Sequence, residues 1–385
     1  MFSKIISLSL VIILAVFSGG NHAAAQSIAE IINTADVFNQ HSTEIKSLLD
    51  NGADVNQRLD NGETLLTFAA SKGLYDIVKL LLEREADVSI KNDQGTPPIV
   101  ITAEKGFQFI TKLLAEKGAD VNSRDIDGTT PLIAASENNH PESIKVLIEK
   151  KADVKVRDDK GWSPIASAAD RGYDQCVALL LENGADVNAA EKSGNTPIMM
   201  VAEKGHDTIA VLLISKGADV NLKNGNNITA LMLAAENDRR SMVKTLIEKG
   251  ADVNFKNNAG RSALAYAVNK GNIETAKILI EKKADATLTN NEGQTLLMLC
   301  ARRADCDMAK LLIKTGLDIN ALDKSGYTAL MHACDKGSVD MVRLLTESGA
   351  NPNIKAPNGT TAYKISVQKN MPAILGILNG AGAKE

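Results

Sequence analysis

Aromatic side chains are scarce, making up 3% of the 385 residues with a single Trp. So few large rings point to many small, similar packing units of Leu, Ile, Val and Ala. The length alone would otherwise suggest two or three ordinary domains. Charge of one sign is not concentrated either. The 43 Lys and Arg against 47 Asp and Glu leave a formal net charge of −4, without the basic clusters that nucleic-acid affinity needs. Signatures of chemistry are missing as well. Five His and four Cys occur, but no HExxH, no CxxC, no Gly-x-Ser-x-Gly elbow and no phosphate loop. The chain is therefore read as a non-enzyme without metal or cofactor. At 44% hydrophobic residues it can bury a core.

One long uncharged run is present, "IISLSLVIILAVF" at 5–17. It follows "MFSK" and precedes "SGGNHAAAQ", in which Ala23, Ala24 and Ala25 are small. This is the grammar of a secretory signal peptide over 1–25, cleaved between Ala25 and Gln26. The run falls short of the roughly 20 apolar residues of a spanning helix. No membrane span is expected after cleavage, and an uncleaved anchor is the alternative. No Cys follows the run, so a lipoprotein anchor is not indicated. Loss of Lys4 moves the formal charge from −4 to −5.

Repetition fixes the fold before any other feature. Gly recurs every 33 residues at 62, 95, 128, 161 and 194, then at 260, 293, 326 and 359. Asn227 fills the one vacancy, and Asn is the next-best residue where a turn needs positive φ. The stretch "DGTTPLIAASENNH" (127–140) shows one unit: a turn Gly, Thr130 as helix N-cap and Pro131 at the first helical position. Ser163-Pro164 and Thr196-Pro197 repeat the signal, with Thr64, Thr229, Ser262, Thr295, Thr328 and Thr361 at matching sites. A second helix follows, as in "DIVKLLLER" and "SMVKTLIEK", with one apolar stripe at three- and four-residue spacing. Neither short helix can bury its stripe alone, so the units must stack.

Gly-x-Thr-Pro-Leu, Ala-Ala, Gly-His, Leu-Leu and Gly-Ala-Asp-Val-Asn at this period resemble ankyrin repeats over about 27–383. The resemblance implies an all-α repeat solenoid of helix-turn-helix units joined by β-hairpin loops. The expected organisation is a signal peptide (1–25), an N-terminal capping repeat (26–58), nine repeats (59–355) and a C-terminal capping repeat (356–385). The family's His after Thr-Pro-Leu is replaced here by residues such as Val100, Ile133, Met199, Met232 and Met298, so apolar packing takes over from a polar network. In the sixth unit Asp238 stands where others have the helix-turn Gly, which is expected either to loosen that unit locally or to mark a contact site.

The verbatim "EKGADVN" at 116–122 and 248–254 raises the question of a metal site. Calcium needs six to eight converging oxygens, whereas carboxylates in successive layers would stand roughly 10 Å apart. Asp and Asn in these triplets are expected to bond nearby backbone amides and shape the turn. Of the thiols, Cys176, Cys300 and Cys334 match small or apolar sites of other units. A Cys300–Cys306 disulfide is the open alternative within one helix-turn-helix of an exported chain.

Recognition is expected from residues that vary between units, on the concave face of hairpin tips and first helices. Trp162 and Tyr327 occupy the position after the turn Gly, where most units are polar, and exposed rings of this kind anchor interfaces. Ile126 and Ile228 are further candidates. Arg124 and Arg157 belong to a basic ladder with Arg58, Lys91, Lys223, Lys256 and Lys355 that could steer acidic partners. The expected function is a monomeric, noncatalytic scaffold for an unidentified protein partner, in the periplasm or secreted. A host-directed secreted effector and an accessory protein that protects or activates a periplasmic enzyme are the alternatives.

Overall fold

The structure, a computed structural model, describes residues 21–34 and 42–384. Most of the expected signal peptide, 1–20, lies outside the described residues. Residues 21–25 form the start of a helix, Asn21–Thr34, in which Ala25 is fully buried. Cleavage after Ala25 would leave Gln26–Thr34 of that helix.

Twenty-two helices follow one another in pairs among the described residues. After the first pair, first helices run seven or eight residues, as in Pro131–Glu137 and Pro164–Arg171. Second helices run eight or nine, as in Pro141–Glu149 and Cys306–Ile313. The caps explain the starts. Thr130 accepts the Ile133 amide at 3.4 Å and Ser163 the Ala166 amide at 3.3 Å, with Pro at the next position. Thr196 departs from the expectation: it has N-cap backbone angles, but its buried hydroxyl makes no cap bond. The connecting hairpins hold no strand among the described residues. They are turns closed by two backbone bonds, such as Asp125 N to Thr129 O and Gly128 N to Asp125 O, with one isolated bridge between Arg58 and Thr64. Turn Gly128 has φ +78°, and Asn227 adopts φ +56° in the vacancy, as its substitution for Gly demands.

The chain divides into two compact units, Met1–Lys192 and Ser193–Glu385. In the first, Pro98–Glu104 packs between Leu65–Ser71 and Pro131–Glu137. In the second, Ala230–Glu236 packs between Pro197–Lys204 and Ala263–Lys270. First helices are buried almost all round, as over Pro164–Ala169, and second helices along one stripe, such as Ile144 and Leu147. No helix among the described residues is long and apolar enough to cross a membrane.

The Asp-x-Asn triplets do two things. Asp120 Oδ1 accepts the Asn122 amide at 2.9 Å, which closes the turn. Asn122 Oδ1 in turn accepts the Asp153 amide of the next repeat at 2.8 Å. Asn254 does the same for Asp285 at 2.8 Å. Each triplet therefore bends its own chain with Asp and ties it to the following repeat with Asn.

Asp238 is held rather than loosened. At φ +54° it accepts Arg240 at 2.7 Å and, from the next repeat, the Thr275 hydroxyl at 2.6 Å. The bond from Arg240 lowers its pKa below the usual carboxylate value. The Cys300–Cys306 disulfide is not formed in the structure, and all four thiols are free. Cys300 lies fully buried in Leu296–Arg303, whereas Cys306 opens the second helix of the same pair half-buried.

Candidate functional site

The side chains expected to recognise a partner sit on turn segments whose backbone is pinned. Asp158 Oδ1 accepts the Lys160 amide at 2.9 Å and the Trp162 amide at 2.7 Å, while the Asp158 amide donates to Trp162 O at 2.9 Å. This double tie fixes the base of the indole before any ligand arrives. The ring borders a groove of about 320 Å³ in the first unit, between two successive hairpins and the ends of their first helices. Asp127 and Thr129 come from one hairpin, and Lys160 and Trp162 from the next. Glu137, Ser167, Asp170 and Arg171 come from the helices. Arg171 is engaged by Glu137 at 3.0 Å.

Ile126, in the first unit, is 76% exposed at its hairpin tip. Tyr327 and Ile228 are half-buried in the second unit. Tyr327 lies over His332, ring centroids 5.7 Å apart, and the His332 imidazole meets Asp323 Oδ2 at 2.9 Å. The other oxygen of the buried Asp323 accepts the Tyr327 amide at 2.9 Å, repeating the pinning seen at Trp162. The four apolar candidates thus fall two to each unit.

The basic ladder has a structural role in the first unit. Arg58 donates to Lys91 O, Lys91 to Arg124 O, Arg124 to Arg157 O and Arg157 to Ala190 O. Arg58, Arg124 and Arg157 also bond the carbonyl of their own turn Gly. Arg124 and Arg157 make both bonds from Nη1, and Arg58 splits them between Nη1 and Nη2 while also pairing with Asp93 at 3.1 Å. In the second unit the ladder's Lys223 lies over the Phe255 ring, 4.6 Å from its centroid.

A second cavity, about 430 Å³, escaped sequence reasoning. Tyr75, Phe107 and Phe109 line it, with Tyr75 41% and Phe109 69% exposed. The signal was available: "GLYD" and "GFQF" put Tyr75 and Phe109 at the start of second helices, at positions where no later unit carries an aromatic ring. Phe107 packs so closely under Gly73 that a Cβ there would stand 2.7 Å from the ring.

No curated protein matches the chain. The family model described as ankyrin repeats (3 copies) matches eight overlapping windows, from 31–125 through 132–224 to 297–383. These windows run without a gap over 31–383 and agree with the helix pairs, the caps and the positive-φ turns. The chain belongs to the ankyrin-repeat family.

Proposed function

We propose that the chain is a noncatalytic scaffold that holds a protein partner against its hairpin tips and first-helix ends. Ankyrin repeats generally mediate protein–protein interaction. The observation that carries the choice of surface is Trp162, the sole Trp, held on a pinned turn at the rim of an otherwise polar groove. A large rigid ring at a wet edge contributes contact area at little entropic cost, the pattern of an interface anchor. The export grammar of residues 1–25 supports work in the cell envelope. Fractionation tests that part, since recovery in the cytoplasm would overturn it.

Partner capture from the native compartment tests the surface. Wild type is compared with Trp162→Ala and with Tyr327→Ala, each checked for unchanged unfolding. Retention is expected to fall in at least one variant. Undiminished capture by both would sink the assignment of this face.

A further inference from the structure

We infer that the Trp162 groove is a receptor for a basic side chain, a Lys or Arg presented by the partner. The inference rests on the scaffold reading for its partner, but on the groove's own chemistry for its ligand.

The first observation is an unspent hydroxyl. Ser167 lines the groove, is only 5% exposed, and spends its amide on Ser163 O at 3.0 Å. Other first-helix serines return their hydroxyl to a helix carbonyl: Ser136 to Leu132 O at 2.7 Å and Ser366 to Ala362 O at 2.9 Å. The Ser167 hydroxyl faces the groove instead, where it can serve a ligand. At the positions 33 and 66 residues before Ser167 the chain has Ala134 and Ile101, and 33 residues after it Met200. Only here is the groove floor a small polar acceptor and donor.

The second observation is the wall. Asp127, Glu137, Asp158 and Asp170 supply four carboxylates against two cations, Lys160 and Arg171, and Arg171 is already paired with Glu137. The field in the groove is therefore negative where a ligand would enter. The third is Trp162 itself, the aromatic ring best suited to hold a cation over its face. An ammonium or guanidinium carries only donors, which matches carboxylates, a hydroxyl oxygen and a π face together. A carboxylate or phosphate would meet repulsion on most sides. The volume, about 320 Å³, lies at the small end of ligand sites and suits one side chain.

The full chain can be titrated with acetyl-arginine amide, and with acetyl-citrulline amide as its neutral isostere. Trp162 reports directly, because its emission and its indole N–H resonance are the only ones of their kind in the protein. The arginine probe is expected to give a saturable shift that weakens with added salt, and citrulline none. Ser167→Met, which borrows the residue at the matching site of the next repeat, is expected to abolish the shift. The double change Asp127→Asn with Asp170→Asn, on the rim, is expected to weaken binding by about tenfold, about 1.4 kcal/mol. An equal response to citrulline, no saturable response to arginine, or unchanged binding in both variants overturns the inference. A saturable arginine response alongside undiminished partner capture by both Trp162→Ala and Tyr327→Ala would support this site and fail the scaffold face instead. Loss of capture with no arginine response would do the reverse.

Discussion

Two Gly residues show how differently one residue type can be required. Gly106 has φ +75°, and a Cβ there would meet the His140 ring at 2.4 Å. That ring also bonds Glu104 O of the preceding repeat through Nε2 at 2.9 Å. Gly118 has φ +92° with nothing within 4 Å of a Cβ. Gly118→Ala should cost only the backbone strain of a left-handed residue, about 1–2 kcal/mol. Gly106→Ala should cost clearly more, since it adds a clash and displaces His140. Denaturant midpoints of the two variants check the order, and equal losses would contradict it.

The thiols make a pH-dependent case at the same scale. Burial pushes Cys176 and Cys334 up from 9.0 to about 11, and pushes Cys300 up further. The unfolded chain releases these protons near 9, while the folded chain keeps them to about 11. Their contribution to stability is therefore complete below pH 9 and is lost as pH rises through about 11. Unfolding midpoints should fall across that window and rise again toward neutrality. In the native protein near neutral pH, alkylation read by mass spectrometry should find the half-buried Cys306 first. Labelling of Cys300 ahead of Cys306 would contradict the packing.

At the scale of the element, the unit is a helix pair plus a turn that grips the next turn. Arg124 spans both jobs, reaching Gly128 O at 3.0 Å and Arg157 O at 2.8 Å. Removing it in Arg124→Ala should cost about 1 kcal/mol, less than buried charge-assisted bonds because the side chain is exposed. Arg124→Lys should recover only part, since the two bonds leave Nη1 of a planar guanidinium whose reach and direction a shorter ammonium does not reproduce. Urea unfolding measures both. The starts of these helices were legible because a cap is local: Thr130, Ser163 and their equivalents act within three residues. The grip was not legible, because its acceptor lies 33 residues away and is a backbone atom, which has no letter in the sequence.

At the scale of the whole molecule, successive helix pairs touch within each compact unit, so damage should stay near its source. Amide hydrogen exchange of Arg124→Ala should show lost protection in Pro131–Glu137 and Pro164–Arg171. Protection over Ala230–Glu248 should be unchanged, and equal loss across both stretches would show a single cooperative body instead.

The sequence by itself determined the period, the helix pairs, the positive-φ turns and the family. Each of these depends on contacts within a few residues, repeated until the register is unmistakable. It also singled out Trp162, as the one ring of its kind at a variable position. Tertiary structure decided what surrounds that ring. Asp127, Ser167 and Asp170 stand apart along the chain and face one groove only once the hairpins and helices stack. The ladder arginines became ties between repeats for the same reason. A side chain's role here is set by what the next layer presents to it, and that is a distance in space.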